Sequence, residues 1–268
     1  MTNDDSGFVG SIPDLYDRNI GPLMMVPYAG DIARRLSEMA TGRLLEVAAG
    51  TGIVTAALAR ALPRVQLIAT DLNQPMLDHA ATKPELRSVE FRQADALALP
   101  FDDQSFDAVV CQFGVMFFPD RVAAFREAYR VLKPGGQFVF NVWESVAKNP
   151  IVAATLMGLS RLYPQHPSWF LERTPCGYRE TEVIRADLAA GGFADSRIET
   201  VTLRGRAASP MSPAIGFCQG SPMRAELEAL DLTGLEAATA AAAAAIAEQF
   251  GEGAFETELC ALVIETRR

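Results

Sequence analysis

The chain has 268 residues, a length that predicts one or two domains and can bury a sizeable core without disulfides or metals. Hydrophobic residues make up 49% and charged residues 21%, which disfavours a disordered or fibrous protein. The formal net charge of −9 disfavours nucleic acid as a partner, because an acidic protein gains little from counterion release at phosphate backbones.

Three features predict a cytoplasmic protein with reduced thiols and no membrane span. The segment Met1-Thr-Asn-Asp-Asp-Ser6 lacks the basic and then apolar order of a secretory signal. The cysteines are far apart and form no C-x-x-C pair, which argues against a zinc knuckle or a dithiol redox site. The longest uncharged run of small residues, from Ala237 to Ala247, is too short for a membrane span and predicts a soluble helix.

The predicted elements begin with two amphipathic helices within residues 14–41, which we expect to form a helical cap over residues 1–42. Residues 43–143 then alternate short apolar runs with helix-like stretches, a pattern typical of a parallel sheet covered on both faces. The predicted strands of this core are Leu44–Val47, Gln66–Thr70, Val89–Arg92, Phe106–Cys111 and Phe138–Val142. Its predicted helices are Ile53–Ala61, Gln74–Ala81 and Arg121–Leu132. Lys133-Pro-Gly-Gly136 is expected to stop the last helix.

Two insertions are predicted after the core. Residues 144–203 are expected to contain a helix at Ile151–Leu162, a second helix at Glu182–Ala190 and a sixth strand at Arg197–Leu203. Residues 204–256 are interpreted as a lid insertion, punctuated by proline and glycine, with an Ala-rich helix at about Leu235–Phe250. Residues 257–268 carry a final strand at Leu259–Glu265. The organisation predicts a single domain over residues 1–268.

The most informative segment runs from Leu44 to Thr55, where a strand enters a glycine turn that opens a helix. Gly50 and Gly52 allow a ligand to approach the backbone closely, because neither carries a Cβ. A tight strand-to-helix turn without a ligand is the alternative. Dinucleotides require a third small residue where this chain has Thr55. The acidic Glu46 also suits a cationic ligand better than a pyrophosphate, so S-adenosylmethionine (SAM) is favoured over NAD.

Two acidic residues follow later strands. Asp71 ends the second strand, where a carboxylate can accept hydrogen bonds from both hydroxyls of a ribose. Its alternative role is to cap the following helix, for which Asn73 is a second candidate. Asp95 follows the third strand and could accept a hydrogen bond from an adenine amino group, or simply form a loop turn.

Together these segments resemble the successive motifs of class I SAM-dependent methyltransferases, most closely the small-molecule type that includes the ubiquinone/menaquinone biosynthesis methyltransferases. The segments are Leu45-Glu-Val-Ala-Ala-Gly-Thr-Gly52, Ala69-Thr-Asp71, the run from Ala94 to Val110, and Tyr129-Arg-Val-Leu-Lys-Pro-Gly-Gly136. The match covers residues 43–142 in order. It implies an α/β, Rossmann-like fold with a mostly parallel sheet of seven strands, the last antiparallel. The helical cap and the lid insertions are added to that sheet.

The resemblance also implies a set of residues that bind SAM. Gly50 and Gly52 would face its methionine part, with Gln112 near the same end, and Asp71 would hold the ribose. Asp95 and Ala96 would contact the adenine. At position 48 the family usually has glycine, and the alanine of this chain would tighten the approach of the ligand. The complete implied set is Glu46, Ala48, Gly50, Thr51, Gly52, Asp71, Leu72, Met76, Ala94, Asp95, Ala96 and Gln112.

No catalytic base or metal site is predicted. Methyl transfer from a sulfonium needs alignment and a dry pocket more than a base, and the sequence shows no Ser/His/Asp or metal-ligand pattern. His166, Tyr16 and Tyr28 are weak candidates for contacts with substrate. Phe113, Trp143 and neighbouring aromatic residues could line an apolar pocket, with ordinary core packing as the alternative.

The leading hypothesis is an enzyme that methylates O, N or C of a small, hydrophobic or aromatic molecule. A catalytically silent SAM-binding scaffold is the alternative, followed by an NAD-dependent oxidoreductase. The sequence leaves the oligomeric state open, with a homodimer as one option.

Overall fold

The computed structural model describes residues 10–230 and 234–268. Backbone contacts divide the chain into two compact units. The sheet unit comprises Tyr28–Trp143, Tyr178–Val201 and Ala261–Arg268, and the helical unit comprises the described part of Met1–Pro27, Glu144–Gly177 and Thr202–Cys260. Residues 1–9 of the predicted cap and residues 231–233 of the predicted lid lie outside the described residues. The single domain over residues 1–268 stays a prediction.

The sheet has seven strands in the order β3-β2-β1-β4-β5-β7-β6. Their bounds are Gly42–Val47 (β1), Val65–Asp71 (β2), Glu90–Gln93 (β3), Phe106–Gln112 (β4), Leu132–Trp143 (β5), Ser196–Ala207 (β6) and Phe255–Arg267 (β7). The pairs β1 with β2, β1 with β4, β2 with β3 and β4 with β5 are parallel, and β7 runs antiparallel to β5. The predicted fold class and the antiparallel last strand are therefore confirmed.

Both units contain helices among the described residues. Their bounds are Ile12–Asn19 (α1), Val26–Arg35 (α2), Ile53–Ala61 (α3), Gln74–Ala81 (α4), Arg121–Val131 (α5), Pro150–Leu162 (α6), Phe170–Arg173 (α7), Thr181–Ala190 (α8), Met211–Gln219 (α9), Met223–Leu230 (α10) and Gly234–Phe250 (α11). A short π-helical turn at Gly21–Met25 lies between α1 and α2. Asp120 begins α5 by accepting a hydrogen bond from Ala123 N at 2.9 Å.

One predicted boundary is wrong. The segment Lys133-Pro-Gly-Gly136 lies at the start of β5, because α5 ends at Val131. Gly135 N donates to Arg268 O at 2.9 Å, and Arg268 N donates to Gly136 O at 3.0 Å. Arg268 therefore pairs with this segment, in which Gly135 has a φ of 77°, and no local sequence signal specifies that pairing.

The core of the sheet unit packs α2 and α3 against the central strands. Ile32 and Leu58 are 0% and 1% exposed and belong to one cluster with Leu44 and Val110. Arg35, at the end of α2, adds a buried ionic contact because its guanidinium pairs with carboxylates from α2, β6 and β7. These partners are Asp31, Glu199 and Glu265.

In the helical unit, α6 and α11 approach each other closely. A Cβ at Gly158 would lie 2.4 Å from Ala241 O, so only glycine allows this separation. The Ala-rich run forms a helix, as predicted, with Ala242 and Ala245 buried. Among the described residues no single helix is long and apolar enough to cross a membrane. Taken together, α10 and α11 are long and apolar enough by length and composition alone, and the pair is bent by 118°.

Candidate functional site

The strand order reverses between β1 and β4, and the loops after neighbouring strands diverge there. In open α/β sheets, ligands bind at such a switch point, beyond the carboxyl ends of the strands. The loops that begin at Ala48, Leu72 and Phe113 leave the sheet at this edge, after β1, β2 and β4 respectively. The residues expected to bind the cofactor's methionine and ribose parts come from these strand ends and loops.

The turn after β1 has three residues with positive φ: Ala48 at 56°, Gly50 at 56° and Gly52 at 82°. A Cβ on Gly52 would lie 2.8 Å from Leu86 Cδ1 and 3.0 Å from Ala80 Cβ. Gly52 therefore provides room for neighbouring protein atoms, a reason that the sequence did not reveal. At Gly50 the only atom of the described residues within 4 Å of a Cβ would be Met76 Cε at 3.5 Å. The open space beside this turn lies at Gly50.

Ala48 adopts the left-handed conformation that the usual family glycine would adopt without strain. An alanine there costs about 1–2 kcal/mol relative to ordinary backbone. Its Cβ lies beside Gly114, where an added Cβ would be only 2.6 Å away. Glycine at position 114 therefore makes room for the side chain of Ala48.

Asp71 holds the turn after β1 to the end of β2. Its Oδ2 accepts a hydrogen bond from Gly50 N at 2.9 Å, and its Oδ1 accepts one from Asn73 N at 2.8 Å. The Asn73 side chain makes no capping bond to α4. A third, longer bond of 3.4 Å runs from Asn73 Nδ2 to Oδ1, so of about four acceptor positions on a carboxylate one remains for a ligand hydroxyl. Burial raises the pKa of Asp71, and the amide hydrogen bonds oppose that rise.

Glu46, the penultimate residue of β1, is a buried carboxyl group. Its residue is 1% exposed, and its Oε2 has no hydrogen-bond partner among the described residues. Burial raises the pKa of Glu46 to about 8; neighbouring Thr55 lowers it in part, and the charge of Asp71 raises it further. Two hydroxyl oxygens, Thr51 Oγ1 and Thr55 Oγ1, are likewise buried without a partner in the described part of the chain.

No cation of the described residues pairs with these carboxyl groups. The ion pairs of the described residues involve neither Glu46 nor Asp71. The third titratable neighbour is Cys111 on β4, whose pKa is raised to about 12 by burial and by both carboxyl groups. The edge of the sheet is thus a buried acidic cluster, and unpaired buried charge is costly.

The residues expected at the adenine lie on two loops. Leu72 is 52% exposed, and Met76 is buried at 4%. Asp95 is exposed. Its Oδ1 accepts a hydrogen bond from Leu97 N at 2.9 Å, as expected if Asp95 simply forms a loop turn. Ala94 N donates to Asp71 O at 3.0 Å, so the loop after β3 is fixed to β2. Contact of these residues with adenine stays a prediction.

The loop after β4 is strained where it leaves the sheet. Phe113 has a φ of 54°, which is unusual for an aromatic residue, and its N–H donates to Asn141 Oδ1 at 2.9 Å. Its ring stacks on Trp143 with centroids 3.7 Å apart. Asn141 is fully buried and its Nδ2 has no partner among the described residues. Asn141 was not predicted from the sequence, although a polar residue inside the apolar run Phe138–Val142 was a usable signal. Gln112, next to Phe113, is 8% exposed.

The three weak catalytic candidates fall in different surroundings. Tyr28 belongs to the sheet unit, is 0% exposed and donates its hydroxyl hydrogen to Val201 O at 2.8 Å. Its ring contacts the Phe113 and Trp143 rings edge-on, as expected for ordinary packing of aromatic residues in the core. Tyr16 and His166 belong to the helical unit.

His166 is held within the helical unit by two neighbours. Its ring stacks on Trp169 at 3.9 Å, and its Nε2 lies 3.3 Å from Glu226 Oε1. Phe170 N and Arg173 Nη1 also donate to Glu226, both at 2.9 Å. The described residues contain no group of His, Cys, Asp and Glu suited to a metal ion. Catalytic roles for His166, Tyr16 and Tyr28 stay predictions.

Comparison with known proteins gives consistent matches. A family model described as a methyltransferase domain matches residues 45–140. Demethylmenaquinone methyltransferase from Deinococcus radiodurans is 40% identical over 127 residues, which cover 46% of this chain and 50% of that protein. The enzyme of the same name from Clavibacter sepedonicus is 33% identical over 180 residues, which cover 63% of this chain and 72% of that protein.

Structural comparison agrees on the fold. The phosphoethanolamine N-methyltransferase 2 of Haemonchus contortus, in complex with SAM, superposes with a TM-score of 0.60 at 16% identity over 96% of this chain and 56% of that chain. At such identity the likeness shows the fold alone. The chain spans about half the length of the first curated relatives it matches. On the sequence match that covers 72% of a relative, the chain belongs to the class I SAM-dependent methyltransferases of the ubiquinone/menaquinone biosynthesis type.

Proposed function

We propose that this protein transfers a methyl group from SAM to a small molecule. The observation that carries the proposal is the buried acidic cluster of Glu46 and Asp71, which lies beside an open glycine turn at the switch point and has no ion-pair partner among the described residues. A ligand that binds here most favourably brings positive charge, because it then compensates the negative charge of a buried acidic cluster.

SAM fits these residues better than a dinucleotide does. It carries a sulfonium and an amino group, both cationic, whereas a pyrophosphate would place negative charge near Glu46. The open space at Gly50 leaves room for the ligand beside the turn. The acceptor position that remains on Asp71 suits a hydroxyl of a ribose.

When bound, SAM supplies an electrophilic methyl group on a positively charged sulfur. The chain's own residues then have to orient the two reactants and exclude water, which can provide most of the rate enhancement. In our proposal, Asp71 fixes the nucleoside while the turn after β1 positions the amino-acid part. The stacked rings of Phe113 and Trp143 keep the adjoining end of β4 apolar.

We propose a hydrophobic or aromatic methyl acceptor, and reduced quinones are the first class to test. The support is the name of the relatives, which are demethylmenaquinone methyltransferases. The same proposal includes methylation on O, N or C of the acceptor, a cytoplasmic location and the absence of a nucleic-acid partner.

The test has two steps. Titration calorimetry with SAM and with NAD measures cofactor binding, and a panel of quinols, phenols, amines and carboxylates is then scored for S-adenosylhomocysteine formation. Asp71→Ala should weaken SAM binding by about 1.5–3 kcal/mol, because it removes a charged acceptor from the ribose hydroxyls. Asp102→Ala, at an exposed position of the same unit, is the matched control and should bind normally.

Each outcome separates the hypotheses. SAM binding with turnover of one acceptor class supports the enzyme and identifies its chemistry. SAM binding without turnover on any class favours the silent scaffold. NAD binding without SAM binding favours the oxidoreductase, and the absence of SAM binding contradicts the proposal.

A further inference from the structure

The acidic cluster has a property that cofactor binding alone does not require. Glu46 and Asp71 are both buried, at 1% and 7% exposure, and interact with each other electrostatically. When two carboxyl groups share a buried site without a cation, one of them tends to keep its proton. The protein without ligand therefore has to hold a proton in this cluster near neutral pH.

The hydrogen bonds decide which group holds the proton. Both oxygens of Asp71 accept backbone N–H groups, from Gly50 and Asn73, and such bonds favour the ionised form. Glu46 Oε2, by contrast, has no partner among the described residues. Burial raises the pKa of Glu46 to about 8. Glu46 is accordingly the protonated member of the pair.

The other neighbours do not change this assignment. Among the described residues, Cys111 on β4 is the remaining titratable group that faces the pair, and its pKa of about 12 keeps it a neutral thiol. Thr55, on α3, offers an uncharged hydroxyl group and a backbone N–H, and these lower the pKa of Glu46 only in part, since burial still raises it to about 8. No cation of the described residues pairs with either carboxyl group.

Resting on the function proposed above, we propose that SAM binding is coupled to ionisation of Glu46, with release of one proton to the solvent. The O–H bond of the Glu46 carboxyl breaks, its electron pair stays on the carboxylate, and the proton leaves to the buffer. The cationic ligand then compensates the new charge. Glu46 thereby makes the site selective for a charged cofactor over a neutral nucleoside of similar shape.

Calorimetry at pH 7 in phosphate and in Tris counts the protons released, because the two buffers differ in ionisation enthalpy. Wild-type protein should release about 0.9 proton per SAM bound, the protonated fraction at pH 7 for a pKa of about 8. The probe for charge is 5′-methylthioadenosine, a neutral thioether, which should release close to none. From pH 5.5 to 7.5, SAM affinity should rise by up to about tenfold per pH unit.

Two variants locate the proton. Glu46→Gln keeps the shape but cannot ionise, so it should bind SAM more weakly, release no proton and show a flat pH profile. Glu85→Gln, at an exposed position of the sheet unit, should behave like the wild type. If Glu46→Gln fails to fold, the comparison of SAM with 5′-methylthioadenosine on wild-type protein still tests the coupling.

Three results would overturn the inference: SAM binding without proton release, equal release with the neutral thioether, or undiminished release by Glu46→Gln. In all three the proposed function stands, because SAM binds. Failure of SAM to bind at any pH would instead overturn the proposed function itself.

Discussion

Gly50 and Gly52 share a backbone conformation but differ in their surroundings, and substitution by alanine should separate the two roles. Their φ angles are 56° and 82°, so alanine at either position costs about 1–2 kcal/mol of backbone strain. At Gly52 the new Cβ would also lie 2.8 Å from Leu86 Cδ1, whereas at Gly50 the nearest atom is 3.5 Å away. We expect Gly52→Ala to be the more destabilising variant.

The magnitude follows from these contacts. Leu86 is 1% exposed and has little space to move. Crowding its side chain should therefore cost about 1–3 kcal/mol in addition to the backbone strain. Gly52→Ala should therefore lower the free energy of unfolding by about 2–5 kcal/mol, and Gly50→Ala by about 1–2 kcal/mol.

Urea unfolding of the ligand-free variants measures these free energies, and calorimetric titration with SAM follows. Gly50→Ala should fold and bind SAM about tenfold more weakly or worse, because its Cβ enters the space assigned to the ligand. Equal destabilisation by the two variants would refute the argument from the neighbours of Gly52. Normal SAM affinity of Gly50→Ala would remove Gly50 from the cofactor site.

Three further outcomes are expected. Arg35→Met removes the cation shared by three carboxylates, including buried Asp31, and should lower the free energy of unfolding by about 3 kcal/mol. A loss below about 1 kcal/mol in urea unfolding would contradict this expectation. Gly158→Ala places a Cβ 2.4 Å from Ala241 O and should cost about 1–3 kcal/mol, detectable as a lower thermal midpoint. Because the pKa of Glu46 is raised from 4.5 to about 8, the folded state binds more protons than the unfolded state between these values, so the stability of the ligand-free protein should fall as pH rises through that window. Urea unfolding across the pH range should show a shallower fall for Glu46→Gln, and identical slopes would contradict the assignment.

Much of the sheet unit could be predicted from the sequence because its signals are local. A strand buried on both faces is a short apolar run, and β1, β2 and β4 lie within two residues of their predicted bounds, as does the largely exposed β3. β5 begins earlier than predicted, at Leu132 rather than Phe138. The helices Ile53–Ala61 and Gln74–Ala81 have the predicted bounds. The order of the glycine turn, Asp71 and Asp95 was enough to suggest the family.

The secondary structure of residues 204–256 was harder to predict from the sequence, because its helices include proline and glycine, which usually interrupt helices. Pro210 and Pro213 lie at the start of α9, where the first turn needs no N–H donors, so proline is tolerated. Gly216 lies within the same helix because a Cβ there would meet Ile20 Cγ1 at 2.6 Å. Contacts between residues distant in sequence outweigh these local signals.

The sequence by itself determined the class of fold, the succession of strands and helices along the chain and the acidic, glycine-containing segment at which a ligand would bind, since each depends on residues close together in the chain. Only the tertiary structure decided what each of those residues does. It showed that Gly52 makes room for Leu86, and that Asp71 fixes the glycine turn. It also showed that Glu46 is buried without a cation among the described residues. These properties depend on which distant atoms surround a side chain, and burial and charge compensation exist only once the chain has folded.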